Sequence, residues 1–186
     1  MFSPATARAT AVLDSSEFKM LKAGDFLLRK GFGWISDKIA EILNEEIPVT
    51  HCGLILSEGY EELHILHAIS NQEVDGVHIE PLRQYLKESK AGSLVAVRLK
   101  TDEHHKKSVI DESLKLFAQK IPFDLAFNDA DSSKMYCAEL FACVFKKVFQ
   151  KDLLPEKIQF LGLNAIRMRN FMQAQYFEIL FSQSGR

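Results

Sequence analysis

Apolar positions along the chain follow two different periods, and the switches between them mark out its elements. After the turn formers Lys22-Ala23-Gly24-Asp25, the short apolar run Phe26-Leu27-Leu28 predicts a buried strand, broken by Gly31 and Gly33. From Trp34 to Leu43, Ile35, Ile39, Ile42 and Leu43 recur at helical spacing, and Pro48 stops the pattern. Residues 49–56 and 63–68 are β-prone runs on either side of a polar turn containing Gly59, which reads as a hairpin. A brief strand at 77–80 leads to Pro81, a first-turn residue for a short helix ending at Lys87. Residues 94–99 form the clearest buried strand, and 102–120 a helix turning Val109, Ile110, Leu114, Phe117 and Ala118 inward. Helical spacing returns after Cys137 with Leu140, Phe141, Val144, Phe145 and Val148. Residues 154–181 mix apolar and basic side chains and predict two helical pieces, packed outside or covering a cleft.

No repeat, low-complexity tract or linker interrupts these elements. The expected organisation is a loose arm at 1–20 and one domain at 21–186, with 150–186 a helical extension. A chain of 186 residues, 47% hydrophobic and 26% charged, can bury a core of its own. A net charge of −2 offers no electrostatic reason to expect nucleic acid or an anionic membrane as partner, and no apolar run reaches the length of a transmembrane span. Cys52, Cys137 and Cys143 cannot all pair and lack disulfide-framework spacing, so reduced thiols are expected. Reduced thiols and the lack of a signal-peptide core near Met1 favour the cytoplasm. An exported protein is the reading if a longer precursor was cut.

Candidate chemistry centres on Cys137. Asp129, Asp131, Ser132 and Ser133 are N-cap formers just ahead of it, which puts the thiol in the first turn of a helix. Unpaired N–H groups and the positive end of the helix dipole lower a thiol pKa there and supply the attacking thiolate. A core cysteine would share the same apolar stripe, so the position needs a base to gain meaning. Strand parity supplies one. His51, Gly53 and Ile55 share a face, as do Leu63, Ile65 and His67, and a regular hairpin centred on Gly59 sets His51 beside His67. If Cys137 packs on that face, thiol, imidazole base and polar orienter form a minimal thiol-hydrolase constellation. Otherwise the two histidines are strand residues with ordinary partners. A metal site from His51, Cys52, His64 and His67 is opposed by parity, because Cys52 and His64 point away from the other two.

Several segments occur together in one order: Gly24-Asp25, Thr50-His51-Cys52-Gly53, His67-Ala68, Ile121-Pro122-Phe123-Asp124 and Tyr136-Cys137-Ala138-Glu139. Across residues 21–149 this order resembles the circularly permuted papain-like hydrolases of the NlpC superfamily, in particular the YiiX/YebB-like group. The resemblance implies an α+β fold, a small antiparallel sheet or half-barrel packed with helices. It also implies roles: Cys137 as nucleophile, His51 as base, His67 as third polar residue, and Tyr136 and Asp25 on the oxyanion and substrate side. Thr50, Phe123 and Ala138 depart modestly from the family pattern. His67 stands where such proteins often carry Glu, which removes a charge from the orienting position.

The resulting expectation is a thiol hydrolase, without metal or other cofactor, that cleaves an amide in a peptidoglycan-type peptide or an N-acyl amino acid. The alternatives are acyl transfer on lipids, as in the lecithin–retinol acyltransferase-like branch, and a non-catalytic binding module. Phe-rich segments at 117–127 and 171–181 are candidate acyl-site walls, although phenylalanine at such spacing also builds cores. Sequence alone leaves the oligomeric state open.

Overall fold

The computed structural model describes residues 8–56, 63–127, 133–160 and 163–184. In chain order its elements are α1 (Ser15–Met20), β1 (Asp25–Arg29), α2 (Trp34–Leu43), β2 (His51–Leu56) and β3 (His64–Ser70). β4 (Asp75–Pro81), α3 (Leu82–Lys87), β5 (Val95–Leu99), α4 (Glu103–Ala118) and α5 (Cys137–Phe149) follow. The chain then runs through β6 (Lys157–Phe160), β7 (Leu163–Ile166), a 3-10 helix (Met168–Met172) and β8 (Phe177–Ser182). Six strands form one sheet in the order β4-β3-β2-β1-β5-β8, and β6 pairs with β7 separately. Every pairing in the large sheet is antiparallel, which gives an α+β architecture.

Both faces of the sheet are covered, so the central strand β1 is buried along its whole length, with Phe26, Leu27 and Leu28 in an unbroken apolar row between the buried charges of Asp25 and Arg29. On one face Phe26, Leu28, Cys52, Leu54, Leu66 and Ala68 pack with Leu140, Phe141, Val144 and Phe145 of α5. The ring of Phe26 meets Phe141 at 5.0 Å, Phe171 at 5.5 Å and Phe145 at 5.6 Å, mostly edge to face. On the other face Leu27, Ile55, Ile65 and Ala96 pack with Leu82 and Tyr85 of α3.

Three regions differ from the sequence-based expectation. Residues 8–20 are not a loose arm: Ala11 N–H donates to Ser89 O at 2.8 Å, Thr10 bridges Lys90, and α1 is fixed by an Asp14/Glu17 capping box. The described residues between 154 and 181 form strands and a 3-10 turn, not helices. The four-residue spacing of Phe177 and Phe181 imitates helical periodicity. A bulge between Ala96 and Val97 shifts the β5–β8 register and sends these two rings to opposite faces of the sheet. The hairpin register also differs. Leu54 lies opposite Leu66, which sets His67 level with Gly53 and not with His51. A two-residue shift preserves parity, so both histidines keep their common face. The turn at 57–62 lies outside the described residues.

Candidate active site

Cys137 is the first residue of α5, with Tyr136 in the extended conformation at the N-cap. The expected caps Asp129, Asp131 and Ser132 lie outside the described residues. Glu139, in the first turn, reaches back to the Tyr136 N–H at 3.4 Å. The thiol therefore sits where helix N–H groups converge, and it is buried. It packs not on the histidine face but on the opposite face of the sheet, in the cluster that contains Cys52. The facing Cys52 thiol is the largest influence on Cys137 and lowers its pKa. Burial opposes the shift, while the Cys52 and Ala138 backbone N–H groups and the Arg29 charge assist it. The Cys52 thiol moves the other way, raised by burial and by Cys137.

His51 opens β2 on the α3 side. Its Nε2 lies 2.8 Å from Nδ1 of His67, the two rings edge to face. Nε2 of His67 lies 3.3 Å from Oε1 of Glu80 on β4. Tyr85 floors this cluster, 5.8 Å from the His51 ring and 5.4 Å from the His67 ring, with its hydroxyl donating to Leu27 O. The Arg29 guanidinium lies 4.3 Å above the same tyrosine and donates to Tyr85 O, while its Nε has no partner among the described residues. Burial, with the Arg29 charge and His67 adding to it, pushes His51 well below its ordinary pKa. His67 is lowered by burial, against the pull of Glu80. His51 is thus a neutral imidazole at neutral pH, the form that accepts a proton.

Cys137 and His51 border one space although they belong to opposite faces. Arg29 ends β1, His51 begins β2 and Ala68–Ser70 end β3 at the same end of the sheet. There one cavity of about 240 Å³ is lined by both Cys137 and His51, together with Arg29. The rest of its wall is largely apolar, with Phe32, Ile39, Ile69, Phe123, Leu125 and Phe127. A hollow of about 250 Å³ on the outer side of α5 carries Glu139 and Cys143 but no histidine. Burial raises the Cys143 thiol, so it lacks the activating surroundings of Cys137.

The structure therefore brings Cys137, His51 and His67 together and holds two other candidates elsewhere. Asp25 is buried under a two-pronged contact from Arg98, at 2.7 and 2.8 Å, and accepts the Lys22 N–H at 2.7 Å. The Tyr136 hydroxyl accepts the Ile166 N–H at 2.9 Å. Sequence reasoning missed Glu80, Arg29 and the contact of Cys52 with the thiol. Parity of Glu80 relative to His78 was readable, but its pairing opposite Ile65 was not. Among the described residues no three His, Cys, Asp or Glu side chains converge as a metal site. No described helix is long and apolar enough to cross a membrane.

This fold, with a first-turn cysteine and a strand histidine sharing a cavity, defines a papain-like thiol hydrolase with permuted order. Residues 20–180 match the model of the permuted papain-like amidase enzymes, YaeF/YiiX, C92 family, and the chain belongs to that family. It is accordingly a thiol-dependent hydrolase of amide bonds. Among solved structures it is similar to the metalloprotein YiiX from Escherichia coli O157:H7. That match has a TM-score of 0.70 at 12% identity and covers 88% of this chain and 98% of that one. At this identity the likeness speaks for the fold alone. No curated protein matches the sequence.

Proposed function

We propose that the protein cleaves an amide of a small peptide or N-acyl amino acid through Cys137, His51 and His67 and a thioacyl-enzyme intermediate. The observation that carries this reading is the shared cavity, whose wall includes both Cys137 at the start of α5 and His51. His51 Nδ1 takes the Cys137 proton as the sulfur attacks the carbonyl carbon. The N–H groups at the start of α5 receive the developing oxyanion. The imidazolium then returns its proton to the leaving amine, and water attacks the thioester with His51 again as base. His67 holds the His51 ring through the 2.8 Å contact.

The test is turnover of a panel of peptide amides and N-acyl amino acids by wild type, Cys137→Ala and His51→Ala. Loss in both variants with unchanged circular dichroism is expected. Full turnover by Cys137→Ala on an accepted substrate overturns the assignment. The apolar wall of the cavity favours a second reading, transfer or hydrolysis of lipid acyl groups. Phe123 and Phe127 line the cavity, whereas Phe171 and Phe177 are buried in the core around Phe26. Faster turnover of long-chain acyl esters than of peptide amides would select it.

A further inference from the structure

A histidine in the third position raises a problem of direction. Two neutral imidazoles at 2.8 Å share one hydrogen, and either ring can donate it. If His67 donates from Nδ1, His51 must accept on Nε2 and carries its own hydrogen on Nδ1. The base is then blocked, because the nitrogen left for the thiol already holds a proton. If His51 donates from Nε2, its Nδ1 lone pair is open and the base works. Something must select the second arrangement.

Resting on the catalytic reading above, the geometry points to Glu80 as a positioning residue that selects the working tautomer of His51 through His67. A carboxylate only accepts hydrogen bonds. Oε1 of Glu80 faces His67 Nε2 at 3.3 Å, an ion-pair distance outside hydrogen-bond geometry, and neither buried atom has a hydrogen-bond partner among the described residues. A carboxylate facing Nε2 at this distance favours the tautomer of His67 that carries its hydrogen there. That leaves Nδ1 of His67 as an acceptor, His51 Nε2 as the donor, and His51 Nδ1 as the free lone pair. When Cys137 attacks, its proton moves to His51 Nδ1 and no other proton changes atom. His67 and Glu80 keep theirs, and the carboxylate faces the new imidazolium across one ring. The charge missing from the third position is thus restored one strand further on.

The surroundings keep Glu80 in its accepting form. Arg29 from β1, His78 beside it on β4 and His67 from β3 all bear on the carboxyl, while Tyr85 from α3 and His51 from β2 complete the cluster. Burial pushes the Glu80 pKa up, but these neighbours outweigh it and hold the carboxyl below its ordinary value.

Long-range nitrogen–proton NMR of the histidine rings in the full chain tests this without mutation. At neutral pH both His51 and His67 are expected to carry hydrogen on Nε2, and a His67 hydrogen on Nδ1 overturns the assignment. Glu80→Gln supplies the second measurement, because an amide can donate as well as accept and no longer dictates direction. Mixed tautomers are expected, with Cys137 alkylation at pH 7 slowed about tenfold and its midpoint moved up about one pH unit. Glu80→Asp should recover most of the rate. In a His67→Ala background Glu80→Gln should cost nothing more. A Glu80→Gln protein with wild-type tautomers and alkylation profile overturns the proposal, as does an equal loss without His67. An inert Cys137 in the wild type would instead defeat the catalytic reading, while the tautomers would still decide the role of Glu80.

Discussion

Replacing Asp25 by Asn separates a structural from a functional role at a residue expected on the substrate side. Its carboxylate receives Arg98 Nε at 2.7 Å, Arg98 Nη2 at 2.8 Å and the Lys22 N–H at 2.7 Å. Charge-assisted bonds of this kind contribute about 1.5–3 kcal/mol each, so the two from Arg98 set an upper bound of about 3–6 kcal/mol. Two features reduce the loss. The Arg98 side chain is 30% exposed and can rehydrate, and its Nη2 keeps the Met20 carbonyl at 2.9 Å. Asn also retains one acceptor oxygen. Halving the bound for this screening leaves about 1.5–3 kcal/mol. For a chain of this size that lowers Tm by roughly 3–12 °C. The assay pairs calorimetry with the rate of Cys137 labelling by iodoacetamide at pH 7. The expected result is a lower Tm with labelling unchanged within about twofold, because Asp25 does not line the cavity. An unchanged Tm with labelling slowed tenfold or more would refute the structural assignment and return Asp25 to the site.

Arg29→Met removes a buried positive charge that lowers both Cys137 and His51. The alkylation midpoint of Cys137 should move to higher pH and the His51 midpoint upward, read by alkylation rates and histidine NMR. Gly53→Ala places a Cβ 2.7 Å from Ile65 Cδ1 and 3.4 Å from the Cβ of His67. The overpacking should cost about 1–3 kcal/mol in denaturant unfolding and slow Cys137 labelling by disturbing the histidine pair. Stability should also depend on pH. His51 and His67 are held below their ordinary pKa when folded, so the unfolded chain binds more protons as pH falls. Their contribution is present above about pH 6.5 and lost below it, at up to about 2.7 kcal/mol per pH unit for the pair. Urea unfolding at pH 5.5 and 7.5 reads this slope, which His67→Gln should reduce; a flat profile would contradict neutral burial of the rings.

Where local chemistry dictates structure, the sequence was readable. The helix at Trp34–Leu43 follows its apolar period, α3 follows Pro81, and Asp102 caps α4 as a side chain of its type does. Cys137 in a first turn was legible from spacing, and the common face of His51 and His67 from parity alone. What depended on distant pairing was not. The Phe177/Phe181 spacing is helical in period but belongs to a strand that carries an extra residue, Leu180, between the partners of Ala96 and Val97, and no turn former within β8 announces it. The capping box at Asp14 and Glu17 was present in the sequence, masked by the small polar residues before it. Glu80 and Arg29 gave no signal, because their meaning comes from the strands beside them and from Tyr85 beneath.

The face occupied by Cys137 bears on how such a site is built. Parity within the hairpin suggested that nucleophile and base must share a face of the sheet, yet the thiol lies with Cys52 and the imidazole with Tyr85. A sheet separates two faces only along the interior of its strands. At its end the backbone stops, and side chains from both faces border the same space. Arg29, His51 and Ile69 all stand at that end, and the first turn of α5 delivers Cys137 there. This arrangement lets each group keep a different environment. The thiol gains helix N–H groups and a facing thiol, which favour its anion. The imidazole gains a buried bed that keeps it neutral and a chain of acceptors that fixes its open nitrogen. A single shared face would have given both groups one dielectric and one set of neighbours. Moving the histidine inward, for instance as His51→Gly with Gly53→His, should therefore abolish Cys137 activation even though parity is kept. Cys137 labelling at wild-type rate in that folded double variant would show that the strand-end position is not required.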